Sequence, residues 1–361
     1  MGSLAALLLA PPLGVSAAPR NLDLNALIAG QCGPPGYRTD SGCNVQLGPG
    51  TFHVAETVTL GACTSTSVRN SVTLQGTSAG MMAGLPGGLT KLRVPTAGTT
   101  LQWTGPPGHA MFSACGASFL SFRDLTLDAT NTSVAIRISA DNLASAISHF
   151  VELRNVVIDG GDTGVYITGR SYADQVDFVT LERVAIVDVD VGYLQDSQQS
   201  VAGRAETVEV IARRRGFEIR NGSLNCDNCY VGTADGAGDD FIAFHLTRGS
   251  ETLKPWEAHQ QISIEHSQME LQAGRFIVED AGAHFPITLI GNSYDLHCPN
   301  MFCEMSVVDS RSKGPVLMIG DVIQGLDQHP KARICHRGTE LVRLGVKRMP
   351  EVVVLTVGCG P

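Results

Sequence analysis

The stretch Asp235-Gly-Ala-Gly-Asp239-Asp240 sets three carboxylates on one glycine-rich turn, and the residues after it supply cations and an aromatic ring. Two further acids, Asp162 and Asp190, stand just before Gly164-Val-Tyr166-Ile167 and Gly192-Tyr193-Leu194. Arg214 holds the same place before Gly216-Phe217-Glu218-Ile219. If these turns stack in register, the side chains form a column with neighbours about 4.8 Å apart. Carboxylates that close raise one another's pKa unless a cation intervenes, and Arg214 or a bound Ca2+ could supply it. From Asp240 to the next equivalent, Gly274, is 34 residues where the two preceding intervals are 24. The extra length follows Phe241–Leu246 and carries Arg248, Lys254, Trp256 and His259. A Trp beside cations suits stacking on a sugar ring and pairing with uronate or sulfate groups. An Arg or Lys there could also serve as the base that removes a proton alpha to a carboxylate.

Repeats must position these residues. Leu120-Ser-Phe122-Arg-Asp124-Leu125-Thr-Leu127, Val151-Glu-Leu153-Arg-Asn155-Val156-Val-Ile158 and Val179-Thr-Leu181-Glu-Arg183-Val184-Ala-Ile186 share one order of apolar and polar positions, with starts 31 and 28 residues apart. The motif returns at Leu224, Ile262 and Ile287, and the glycine-led motif recurs at a fixed offset from it. Short strands at such a period predict a solenoid, in which one turn buries its apolar face only against the next. Parallel strands are expected at 151–158, 179–186, 262–265 and 287–290, with Val151, Leu153, Val179, Leu181, Ile262 and Ile264 inward. Val208-Glu-Val210, only 16 residues before Leu224, reads as a shortened or irregular turn. Position five of the first motif holds Asp124, Asn155, Asn228 and His266, types that accept left-handed backbone and can form a hydrogen-bonded ladder. His266 is accordingly read as a ladder residue and not as a base.

Gln46-Leu-Gly-Pro-Gly-Thr-Phe52-His-Val54, running on to Val58-Thr-Leu60, resembles the opening of pectate-lyase-like proteins. With the repeats, most of residues 45–325 resembles the right-handed parallel β-helix superfamily of pectate lyases, polygalacturonases and phage tailspikes. That resemblance implies an all-β fold: a single right-handed parallel β-helix (solenoid) with an irregular N-terminal segment and a C-terminal cap. Gly238-Asp239-Asp240-Phe241-Ile242-Ala243 is similar to the polygalacturonase segment Gly-Asp-Asp-Cys-Ile-Ala, with Phe for Cys. The likeness implies that Asp239 and Asp240 are part of the general acid and base machinery of a glycoside hydrolase, and Asp235 on the same turn is a further catalytic candidate. Such chemistry uses a carboxyl pair about 5–5.5 Å apart for retention or about 6.5–9.5 Å for inversion. The family's upstream Asn-Thr-Asp, downstream Gly-His-Gly and Arg-Ile-Lys are missing. The implied function is a carbohydrate-active protein, hydrolase or lyase, that acts on or binds a polysaccharide; the alternative, favoured by the missing hallmarks, is a non-catalytic surface or adhesion β-helix.

The chain has 361 residues, 40 glycines and 6% aromatic residues, which suits many short strands and speaks against helical bundles. A net charge of -9 argues against a nucleic-acid partner. Residues 1–17 read as a signal peptide, an apolar stretch ending Val15-Ser-Ala17, too short to span a bilayer. Export places the protein outside the cell, at its surface or in a periplasm, where the ten cysteines could pair. Cys298 with Cys303 and Cys335 with Cys359 would close short loops. Cys32, Cys43, Cys63 and Cys115 could pair among themselves, and Cys226-Asp-Asn-Cys229 reads as buried thiols or a local bridge, not a zinc site. The β-helix is expected over 18–329 and a cap over 330–361, as a monomer-like or trimer-forming unit. Asn131-Thr-Ser133 and Asn221-Gly-Ser223 match the glycosylation sequon, and Arg213-Arg214-Arg215 reads as a solvated charge run.

Overall fold

Strand residues alternate between two sides, so the apolar positions of each motif can all turn to one interior while the polar ones face water. The computed structural model shows this arrangement, and describes residues 19–33, 42–61, 69–78, 98–140, 147–169, 174–197, 200–249, 261–297, 304–312, 314–325, 331–336, 341–348 and 353–357. The protein is a parallel β-solenoid with three faces. The first face includes Cys43–Gln46, Val72–Gln75, Gln261–Glu265 and Ile287–Ile290. The second includes Gly50–Val54, Thr99–Trp103 and Tyr230–Thr233, and the third Ala110–Cys115, Thr163–Thr168, Ile242–Leu246 and Arg275–Glu279. Midway, the strands Ser121–Asp128, Ile147–Asp159, Gln175–Asp196 and Gly203–Ile219 run round corners from face to face. Neighbouring turns pair in parallel, Val151 with Val179, Leu153 with Leu181 and Ile262 with Ile287. All six side chains expected inward are at most 1% exposed. Aromatic rings stack inside as well, Phe217 on Phe244 at 4.7 Å.

The corner between the first two faces turns on a single left-handed residue. Asp124, Asn155, Asn228 and His266 have φ of 56°, 51°, 54° and 49°, as their types suggest, and Arg183 and Thr207 adopt the same conformation. Asn155 Nδ2 donates to Asp124 Oδ1 at 2.8 Å, and Arg183 Nε donates to Asn155 Oδ1 at 2.6 Å, so the polar ladder is formed. His266 occupies the same corner, but its Nδ1 lies 3.0 Å from Asp227 Oδ1. On the inner side of this corner Asn292 Nδ2 donates to Ile264 O and to Asp321 Oδ1, each at 2.8 Å, while Ser267 N donates to Asn292 Oδ1 at 2.9 Å.

The reading of Val208-Glu-Val210 as a shortened turn is corrected. Val208 pairs with Val184 and Val210 with Val231, which puts this segment on the second face. The first-face strand of the same turn is Gly203-Arg-Ala-Glu206, in register with Leu224–Asp227. Its small inward Ala205 hid it from a search for apolar alternation.

The N-terminal segment contains a helix, Leu24–Cys32, started by Asp23, whose side chain accepts from Ala26 N. Leu24, Ile28 and Cys32 share its buried side, and Cys32 is bonded to Cys43 of the first face. Cys226 and Cys229 form the local bridge. Cys115 and Cys335 are also disulfide-bonded; Cys63, Cys298, Cys303 and Cys359 lie outside the described residues. Within the segment expected as a cap, Lys331–Cys335 pairs with both the preceding turn and Val353–Val357.

Candidate functional site

The acidic turn sits at the start of the third-face strand Ile242–Leu246. Phe241 N donates to Gly238 O at 3.0 Å, which tightens the turn, sends the Phe241 side chain into the core and leaves Asp235, Asp239 and Asp240 exposed. The register runs Thr163, Val191, Arg215, Ile242, so Asp162, Asp190 and Arg214 occupy equivalent places. Phe241, not Asp240, is next in that column, because the turn inserts the acidic pair one step earlier. The cation of the column is Arg213, not Arg214: its Nε donates to Asp190 Oδ1 at 2.7 Å and its Nη1 to Asp188 Oδ1 at 2.5 Å. The three arginines are thus engaged differently, since Arg214 is exposed while Arg215 Nη1 donates to the carbonyl of Asp240 at 2.7 Å. Arg215 Nε donates to His245 Nδ1 at 3.3 Å, and His245 Nε2 lies 3.0 Å from Asp280 Oδ2. An arginine can only donate, so His245 carries its proton on Nε2 and gives it to Asp280. That hydrogen bond holds the Asp280 carboxyl below its ordinary range.

Arg248 is not brought to the acidic pair. It follows the far end of Ile242–Leu246, so on the order of 20 Å of extended chain separates it from Asp240. Lys254, Trp256 and His259 lie outside the described residues. The cations beside the turn are Arg215 and, one turn on, Arg275, whose charges act on one another and, for Arg215, on Asp240. Among the described residues no group of three or more His, Cys, Asp or Glu is arranged to hold a metal ion.

A second region lies on the outer side of the first face, where a groove of about 650 Å³ runs across the strands. Three lines of side chains run parallel to the solenoid axis on this face, and part of each lines the groove. The corner line is Gly42, Ser71, Phe119, Phe150, Phe178 and Ala202, equivalent residues of successive turns, all with φ between 27° and 57°. The middle line is Asn44, Thr73, Ser121, Glu152 and Thr180, and the inner line includes Gln75, Arg123 and Arg154. The three Phe rings stack with centroids 4.9 and 4.8 Å apart and are 51%, 44% and 44% exposed. His149 stands edge-on to Phe119 and Phe150. Burial lowers the His149 pKa despite the opposing charge of Asp177. Glu152 accepts from Arg123 Nη2 at 2.6 Å and from Ser121 Oγ at 2.9 Å. Partial burial alone would raise its pKa; these donors outweigh that and hold it below the ordinary value.

Every non-glycine residue of this corner line, Ser71 and Ala202 included, adopts the left-handed φ, so that conformation belongs to the path of the chain and not to the Phe side chains. What sets the three Phe residues apart is a contiguous, half-exposed aromatic surface, and that points to use of the surface. The signal was present in the sequence, because each of the three motifs starting at Leu120, Val151 and Val179 is immediately preceded by Phe.

No family model and no curated protein matches the chain. Among solved structures it is similar to the Azotobacter vinelandii mannuronan C-5 epimerase AlgE4 A-module, with 13% identity, TM-score 0.48, and coverage of 88% of this chain and 91% of that one. The AlgE6 A-module of the same organism gives 15% identity and TM-score 0.48, covering 89% and 91%. The catalytic domain of a GH87 alpha-1,3-glucanase in complex with nigerose gives 10% identity and TM-score 0.42, covering 97% of this chain and 69% of that one.

Proposed function

We propose that this protein binds a polysaccharide, holding one chain along its first face. The observation that carries the reading is the exposed Phe119–Phe150–Phe178 line beside a floor of hydroxyl, amide and paired charged groups. A glycan offers both surfaces at once, apolar C–H faces and a hydroxyl rim, and the groove presents a matching apolar wall and polar floor. A peptide strand finds no equivalent there, because the first-face backbone is already paired to the turns on either side. Export into an oxidising compartment belongs to the same proposal and is supported by the Cys32–Cys43 and Cys226–Cys229 bridges and by the absence of free cysteines among the described residues. No helix among the described residues is long and apolar enough to cross a membrane.

A second reading, hydrolase or lyase action at the acidic turn, is favoured by the exposure of both Asp239 and Asp240 next to Arg215. Among the described residues the groove has one carboxylate in its lining, Glu152, and hydrolysis needs two. Incubating the protein with a panel of soluble polysaccharides, and measuring binding, reducing ends and ultraviolet-absorbing unsaturated products together, separates the readings. Binding without products supports the first. Products that vanish in a folded Asp239→Asn, Asp240→Asn variant establish the second, and neither binding nor products from any glycan overturns both.

A further inference from the structure

We infer that the glycan held by the first face is uncharged, and that one of its sugar rings stacks on the open side of Phe119, in the recess above Ser71 and Gly42. This rests on the reading of the groove as a glycan site and names the substrate class and the anchoring contact. Two independent features carry it.

The first is charge. Among the described residues Arg123 and Glu152 are the charged ones in the groove lining, and they are bonded to each other at 2.6 Å. Arg123 Nε also donates to Ser121 Oγ at 2.7 Å. Further along the same face Arg154 and Arg183 both pair with Glu182, at 3.3 and 3.1 Å, and Arg204 pairs with Glu206 at 2.7 Å. A polyuronate or sulfated chain would meet guanidinium groups already neutralised by neighbouring carboxylates, and would bring its own anions up against those carboxylates. An uncharged chain meets Asn44, Thr73, Ser121 and Thr180 and disturbs no pair.

The second is shape. Within the ladder the Phe rings lie nearly parallel, 11° and 7° apart, so Phe150 is covered on both faces and offers only its edges. A ring face stays open only where the ladder ends. Toward one end the equivalent corner residues shrink to Ser71 and then Gly42, and the groove extends over both of them, so Phe119 presents a face to the cavity. Phe178 looks the other way, to Ala202, which does not line the groove. Aromatic rings bind flat apolar faces best by offset stacking, and among the described residues Phe119 is the ring positioned to do this within the groove.

The test uses the whole protein and a panel of soluble neutral glucans, mannans and xylans beside polygalacturonate, alginate and dextran sulfate, with binding followed by calorimetry at low and high ionic strength. A neutral glycan should bind with an affinity that salt leaves unchanged, since screening acts on charge pairs and not on stacking. Ser71→Leu fills the recess beside Phe119 with a side chain that has no flat ring to offer, at a φ of 57° close to that of Phe119, and should weaken binding at least tenfold, about 1.4 kcal/mol. Phe150→Ala, which leaves the open face of Phe119 in place, should change it much less. If Ser71→Leu does not fold, the triple variant Phe119→Ser, Phe150→Ser, Phe178→Ser removes every ring of the ladder and gives the same readout. Unchanged neutral-glycan affinity in the Ser71→Leu or the triple variant overturns the stacking contact. Salt-sensitive binding of acidic glycans alone overturns the uncharged class while leaving the glycan reading intact, and binding of no glycan overturns both.

Discussion

Asp321→Asn should stabilise the protein at pH 8 and leave it nearly unchanged at pH 4. Asp321 is 0% exposed, and its Oδ1 accepts from both Asn292 N at 2.9 Å and Asn292 Nδ2 at 2.8 Å, whereas Oδ2 has no partner. Burial outweighs these hydrogen bonds and raises the carboxyl from 3.8 to about 6. A raised carboxylate pKa means that the unfolded chain releases the proton more readily. Folding therefore carries no penalty below the unfolded value, a growing one between the two values, and the full one above about 6. A shift of roughly two units at about 1.36 kcal/mol each gives a penalty of about 3 kcal/mol at pH 8 and about half a kcal/mol at pH 4. An asparagine carries no charge, keeps an oxygen for the Asn292 donors, and puts an amide beside the buried Tyr294 hydroxyl, which interacts with this side chain. Calorimetric melting of both proteins across this pH range should show Tm of the variant rising above that of the parent by a few degrees at pH 8, with the gap closing as pH falls through about 6. Equal destabilisation at both ends of the range would refute the reasoning, because it would mean that Asp321 is charged in the fold and needed in that form.

At the outer corner, Asn155→Ala should cost about 2 kcal/mol in thermal unfolding, from the left-handed φ of 51° and from the lost bonds to Asp124 and Arg183, while Asn155→Gly should cost less because it restores the backbone freedom. Arg213→Gln leaves Asp188 and Asp190 without their shared cation, and should lower Tm by an amount that added salt reduces, whereas Arg214→Gln, at the exposed neighbour, should not. Asn131 is exposed and Asn221 is buried with its Nδ2 donating to Asp196, so in a host that glycosylates exported proteins, peptide mapping should find sugar on Asn131 and none on Asn221.

The fold was legible because inward positions are read by alternation, and alternation survives wherever the inward residues are large. It failed at Gly203-Arg-Ala205-Glu206, where one small residue faces the core, and that gap made Val208-Glu-Val210 look like a misplaced first-face strand. The left-handed corner was legible at Asp124, Asn155, Asn228 and His266, whose types accept positive φ, and not at Arg183 or Thr207, which adopt it because the turns above and below fix the path of the chain. The site was harder for a related reason. Acidic residues on a glycine turn announce chemistry by type, yet the strand Ile242–Leu246 carries Arg248 away from them, a separation that linear proximity conceals.

The Phe ladder conceals itself the opposite way. Phe119, Phe150 and Phe178 each lie next to an apolar strand residue and so pass for strand positions, when the corner in fact turns them out to solvent. Their recurrence at 31 and 28 residues is the same period that reveals the solenoid. A solenoid needs apolar residues that alternate, facing one interior; a residue that repeats with the turns but breaks the alternation serves something else. Applied to this chain, that criterion separates the core from the groove wall: Leu120, Val151 and Val179 keep the alternation and are buried, whereas the Phe before each breaks it and is exposed.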